Sequence, residues 1–145
     1  GFNKTIILSY AAKFASNFYG PFRDAVGSSK ALNKTDKKTY QMDYKNSDEA
    51  IREVAMDINE GADMIMIKPA LPYLDVISKI KKRFNIPIFA YQVSGEFSML
   101  KFGEKEKIID YEKCLYESLI CIKRSGASAI FCYGAIDIAK NLKNE

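Results

Sequence analysis

Short, nearly continuous apolar runs alternate along this chain with longer stretches in which apolar residues recur every three or four positions. Residues 5–10 (TIILSY) form the first run, β-branched near its start, and read as a strand covered on both faces. The second is 64–68 (MIMIK), the third is 86–93 with Pro87 near its start, and the fourth is 129–133 (AIFCY). Between the first two, Ile51, Val54, Ala55 and Ile58 make a helical stripe. It opens on Ser47 as N-cap, carries Asp48 and Glu49 in its first turn, and ends at Gly61. Leu74, Ile77, Ile80 and Phe84 mark a second helix, a short helical piece follows at 96–101, Tyr111, Leu115, Leu119 and Ile122 mark another that ends at Gly126, and 136–142 closes the chain. Four strand-to-helix repeats without a hairpin signal predict an α/β fold with a parallel sheet wrapped by helices.

In parallel α/β folds, ligands bind at the carboxyl ends of the strands. Lys13 lies just beyond the first predicted strand, Lys68 ends the second, Ser94 follows the third and Tyr133 ends the fourth, so these four side chains are expected to converge. Residues 20–46 break the alternation. Gly20-Pro21, Gly27-Ser28-Ser29 and the charged segment 33–38 make a polar connection too long for a simple joint, which predicts a lid or binding loop.

Composition narrows the chemistry. The chain has 145 residues, 48% hydrophobic and 28% charged, with scattered Gly and Pro, which fits one globular domain or part of one and excludes collagen-like and disordered classes. Its 22 Lys+Arg and 18 Asp+Glu leave a net charge of +4, and the lysines are not clustered with aromatics, so no nucleic-acid surface is predicted. No apolar run approaches the ~18 residues of a membrane span, and the first residue is Gly rather than Met, which predicts an incomplete N-terminus. Histidine is absent and the three cysteines, Cys114, Cys121 and Cys132, lack CxxC spacing, which removes His-based triads and most zinc patterns and favours a reducing compartment.

The lysines remain. An amine at a strand end either snorkels to water or is desolvated enough to be neutral, and a neutral amine can attack a carbonyl to form a Schiff base. Lys13 sits among Tyr10, Ala11, Ala12 and Phe14, and Lys68 between an apolar run and Pro69, so both suit the second role. A second cation nearby would favour the neutral form of each.

Segments 9–25 (SYAAKFASNFYGPFRDA), 40–42 (YQM), 66–76 (MIKPALPYLDV), 91–97 (YQVSGEF) and 122–139 (IKRSGASAIFCYGAIDIA) together resemble the 5-aminolevulinate dehydratase (porphobilinogen synthase) family. The resemblance implies the C-terminal half of a TIM (β/α)8 barrel, strands five to eight, with residues 1–145 forming one partial catalytic domain. It implies condensation of two 5-aminolevulinate molecules to porphobilinogen with loss of two waters. Lys68 matches the Schiff-base lysine for the substrate that becomes the propionate side, and Lys13 matches the second active-site lysine. Ser94 and Tyr133 match the ligands of the first substrate's carboxylate. Arg23 and Lys37 match the cations for the second, with Lys38 beside Lys37 and Gln41 on the same loop.

The same resemblance makes residues 20–46 an active-site lid and gives Glu53 an allosteric magnesium ion. It implies a zinc or magnesium ion in the active site whose ligands precede residue 1, assembly as a homo-octamer, and a cytoplasmic or plastid location. Gly134, where the family often has a larger residue, is expected to loosen packing under the carboxylate site. On the residues alone, a class I aldolase-like barrel and a non-catalytic binding half remain alternatives.

Overall fold

Met64–Lys68 forms a strand with the bounds its apolar pattern predicts, and three further strands form around it in the computed structural model, which describes residues 4–25, 27 and 39–142. The strands are β1 (Leu8–Lys13), β2 (Met64–Lys68), β3 (Ile88–Tyr91) and β4 (Ala129–Phe131). They lie side by side in chain order and every neighbouring pair is parallel. The helices are α1 (Gly20–Ala25), α2 (Ser47–Asn59), α3 (Leu74–Arg83), α4 (Ser94–Lys105), α5 (Tyr111–Ser125) and α6 (Ala135–Leu142), with 3-10 turns at Asn17–Tyr19 and Leu71–Tyr73. No helix among the described residues is long and apolar enough to cross a membrane.

Side chains alternate across a pleated strand, and here the alternation separates a core from a site. Ile65 and Ile67 of β2 and Ile88 and Ala90 of β3 point to the helices and are fully buried with Val54 of α2, Ile77 and Ile80 of α3 and Ile122 of α5. Each such isoleucine contributes roughly 1.5–3 kcal/mol through removal from water. The opposite face carries Met66 and Phe89, which are partners in register, and Tyr91 and Phe131, likewise partners. It is aromatic and more open, with Phe131 45% exposed.

Several boundaries differ from the sequence reading. The first strand lies three residues later than its β-branched run, because pairing begins only where the Met64 N–H donates to the Ile7 carbonyl. Ile6 and Ile7 stay exposed and Lys13 becomes the last residue of β1 rather than a residue beyond it. The connection at 20–46 opens as helix α1, and the short piece at 96–101 is part of the 12-residue α4.

The cap of α2 is Asn46 rather than Ser47: its side-chain oxygen accepts from the N–H groups of Asp48 at 3.2 Å and Glu49 at 3.3 Å, while Ser47 takes the Lys79 amine at 2.8 Å. Asn46→Ala is therefore expected to cost about 1 kcal/mol, read as a lower urea midpoint at unchanged slope. An unmoved midpoint would show that the cap contributes nothing.

Gly134 does not loosen the packing. A Cβ there would overlap the Leu115 side chain and lie 3.0 Å from the Tyr111 hydroxyl, so the small residue is what lets α5 approach.

Candidate active site

Parallel pairing brings the carboxyl ends of all four strands to one rim. Lys13 and Lys68 are partners in register there, so their side chains leave adjacent strands on the same face from backbones about 4.8 Å apart. The Lys68 Nζ lies 4.0 Å from the centroid of the Tyr91 ring, 5.6 Å from that of Tyr19 and 5.8 Å from that of Tyr10. The Lys13 Nζ is 5.9 Å from the Tyr10 centroid, so the two amines share that ring. Aromatic faces stabilise a nearby cation, and they suit a protonated imine as well as an ammonium.

The backbone of Lys68 is pinned from the β1 side. Its carbonyl accepts from the Phe14 N–H at 3.0 Å and from the Tyr19 hydroxyl at 3.1 Å. Burial pushes the Tyr19 hydroxyl well above the usual tyrosine range, with Tyr73 and Glu96 adding to the push and Arg23 opposing it, so it stays protonated and donating.

Two small pockets share Tyr19, Phe22 and Lys68. The first, about 50 Å³, adds Lys13, Arg23 and Gln41. Arg23 projects from α1 with its guanidinium carbon 5.5 Å from the Tyr19 ring centroid. Gln41 is held by its neighbour Met42, whose N–H donates to the Lys13 carbonyl at 3.1 Å and whose carbonyl accepts from Ala15 at 2.8 Å. Its Oε1 is buried and has no hydrogen-bond partner among the described residues, an unusual expense for a polar group that a bound ligand would relieve.

The second pocket, about 30 Å³, adds Tyr91, Val93, Ser94 and Tyr133. Ser94 begins α4 and its hydroxyl accepts from the Phe22 N–H at 3.1 Å, leaving its own proton to donate. Tyr133 packs by its ring on Tyr91 and Phe97, with centroids 6.5 and 5.6 Å apart. Burial and the neighbouring Tyr133 push the Tyr91 hydroxyl above its ordinary range. Each pocket thus offers an amine for a carbonyl and donors for an acid group: a guanidinium and an amide in one, two hydroxyls in the other.

Six of the eight residues singled out by sequence, Lys13, Lys68, Arg23, Gln41, Ser94 and Tyr133, meet in these two pockets. Lys37 and its neighbour Lys38 lie outside the described residues. Glu53 is half-buried on α2 and lines a neighbouring pocket of about 450 Å³ together with Glu49, Lys13 and Gln41. Among the described residues, no group of three or more His, Cys, Asp or Glu side chains is arranged to hold a metal ion.

Residues 1–141 match the family described as delta-aminolevulinic acid dehydratase. The chain belongs to that family. A delta-aminolevulinic acid dehydratase of Bradyrhizobium diazoefficiens is 52% identical over 139 residues, which is 96% of this chain and 39% of that protein. One from Escherichia coli is 54% identical over 140 residues, 97% of this chain and 42% of that protein. The chain thus spans about two fifths of the length of these relatives. The crystal structure of the Toxoplasma gondii dehydratase, solved with the reaction product porphobilinogen, superposes with a TM-score of 0.90 at 51% identity, covering 94% of this chain and 38% of that one. The parallel α/β arrangement of four repeats is therefore a dehydratase arrangement.

Three residues around Lys68 were not singled out from the sequence. Tyr19 and Tyr91, whose rings flank its amine, were visible only as aromatics within motifs. Glu96, buried where β2 ends, carried a weak signal: an acid three positions after Val93, where a strand gives way to a helix.

Proposed function

We propose that this chain carries the Schiff-base and carboxylate-binding residues of a porphobilinogen synthase, forming strands five to eight of its barrel. The observation that supports this most is the register of Lys13 with Lys68, each opening into a pocket with its own acid-binding groups. The proposed reaction joins two molecules of 5-aminolevulinate into one pyrrole and releases two waters.

The Lys68 amine adds to the ketone of the first substrate, and loss of water from the carbinolamine gives a protonated imine held among Tyr91, Tyr19 and Tyr10. Ser94 and Tyr133 donate to that substrate's carboxylate. Lys13 captures the second ketone in the same way, with Arg23 and Gln41 on its carboxylate and Lys37 as an added cation. The imine withdraws electrons from the adjacent carbon, which loses a proton and, as an enamine, attacks the imine carbon of the other substrate, whose C=N electrons pass to nitrogen. Proton loss and elimination free one lysine, and attack by a substrate amine on the remaining imine closes the ring and displaces the other, so that the two waters lost are those of imine formation. The register of Lys13 with Lys68 supports this reading, since two carbonyls captured on neighbouring lysines would meet as positioned groups rather than in a bimolecular encounter.

The magnesium reading of Glu53 is supported by the resemblance and by the half-buried Glu49–Glu53 pair beside Lys13, since magnesium keeps most of its waters and needs only one or two carboxylates. Active-site zinc or magnesium, homo-octameric assembly and a cytoplasmic or plastid location belong to the same proposal.

Treating the protein, expressed from its complete reading frame, with 5-aminolevulinate and borohydride tests the reading. The expected results are porphobilinogen in the untreated reaction and a reduced adduct on Lys68 in the treated one. Absence of any lysine adduct would refute it, and an adduct without turnover would make the chain a binding unit.

A further inference from the structure

The start of α4 is where three site-bearing segments meet. Glu96 is 1% exposed, and its Oε2 accepts from the Val93 N–H at 2.6 Å and the Ala70 N–H at 3.4 Å, while its Oε1 accepts from the Leu71 N–H at 2.7 Å. The Val93 bond is half of an ordinary capping box, in which the third residue of a helix reaches back to the residue before it. One oxygen is enough for that. The other two donors belong to the segment that leaves β2 directly after Lys68 and Pro69.

Burying a carboxyl is costly, and a glutamine would serve the cap alone. Burial pushes the Glu96 pKa up, while the three backbone N–H groups pull it down. What a carboxylate adds over an amide is two acceptor oxygens, able to gather donors from two directions at once. The result complements the grip on the other side of Lys68, whose carbonyl is held by Phe14 and Tyr19. Lys68 is therefore tethered on one side to β1 and on the other to the helix that presents Ser94.

We propose that Glu96 is a positioning residue for Lys68: by tying Ala70 and Leu71 to the start of α4, its buried carboxylate fixes the end of β2 and aims the Lys68 amine between the Tyr91 ring and the Ser94 pocket. The inference rests on Lys68 being the imine-forming residue. It assigns Glu96 no contact with substrate.

Glu96→Gln tests it. The amide keeps the volume but sets an NH2 against a backbone N–H in either orientation, leaving Leu71, or Val93 and Ala70, without an acceptor. The protein, expressed from its complete reading frame, is incubated with levulinic acid, which has the ketone and carboxylate but no amine, and with cyanoborohydride, and adducts at each lysine are followed by peptide mass spectrometry.

Glu96→Gln is expected to slow trapping at Lys68 by at least ~10-fold while trapping at Lys13 changes by less than ~3-fold, since misplacement of a reacting group by about 1 Å costs on that order. In turnover of 5-aminolevulinate, kcat falls and KM stays within ~3-fold. Trapping at Lys68 at the wild-type rate overturns the proposal, and so does equal slowing at both lysines, which marks general loss of structure. Should Glu96→Gln fail to fold, Glu96→Asp, with both oxygens on a shorter arm, is expected to show the same selectivity with a smaller slowing, and an unchanged Lys68 rate there overturns the proposal too. Wild-type protein that traps no adduct on either lysine would instead remove the dehydratase reading itself.

Discussion

Lys68→Ala is expected to lower porphobilinogen formation by about a thousandfold or more, equivalent to roughly 4 kcal/mol of transition-state stabilisation. Lys68 is the only amine among the described residues that line the pocket of Tyr91, Ser94 and Tyr133. The Lys13 amine shares the Tyr10 ring and the first pocket with it, but there the neighbouring groups are Arg23 and Gln41, so on the proposed reading it would align the other substrate. Lys68→Arg should fare no better, because guanidinium keeps the charge without a nucleophilic amine. In either variant a borohydride-reduced adduct on the second pocket's lysine position disappears, while Lys13 remains reactive toward carbonyl compounds. Activity within tenfold of wild type would show that the covalent step runs elsewhere.

Gly95→Ala is expected to be the most damaging single methyl addition near the site. Gly95 lies in the first turn of α4, where helix propensity alone would favour alanine by about 1 kcal/mol. Space decides the other way. A Cβ there would lie 2.8 Å from the Phe18 Cα and 2.9 Å from its carbonyl carbon, and nearer still to its carbonyl oxygen. Backbone atoms cannot rotate aside as a side chain can, so the 3-10 turn Asn17–Tyr19 must move.

Overpacking of this kind typically costs about 1–3 kcal/mol, and the shift would carry the Tyr19 hydroxyl away from the Lys68 carbonyl and Arg23 away from its pocket. A thermal melt should show a fall of about 3–10 °C together with a loss of activity larger than the stability change explains. Gly20→Ala is the control: no atom lies within 4 Å of a Cβ built there, so a comparable loss in that variant would discount the contact with Phe18.

Much of the fold was legible because its signals are local. The run at 64–68 is apolar on both faces and bounded by Asp63 and Pro69, so length and pattern agree, and the strand forms where expected. The stripes on α3 and α5 repeat often enough to mark a buried face, and Ile77, Ile80, Leu115 and Ile122 are all fully buried. The first strand misled because Thr5 and Ile6 have strand propensity but lie before the point where the ladder to β2 begins, at the Ile7 carbonyl. Propensity describes a residue, whereas a ladder needs a partner at the right height.

The site divides in the same manner. Lys68, Ser94 and Tyr133 could be placed from strand ends alone, and Arg23 and Gln41 from the resemblance. Tyr19 and Glu96 could not, since their roles are set by bonds to residues 49 and 25 positions away, Lys68 and Leu71. A buried acid looks in sequence like any solvated one until the fold surrounds it with N–H donors.

Because Lys13 and Lys68 stand opposite each other in one hydrogen-bonded ladder, the gap between their Cα atoms is a property of the peptide repeat that no side-chain substitution alters. Divergence in the surrounding loops can change what lines each lysine's pocket, but not the spacing of the two backbones from which the side chains start. Any difference in how far apart the two amines work must come from their four-carbon stems and the rings around them, not from the sheet.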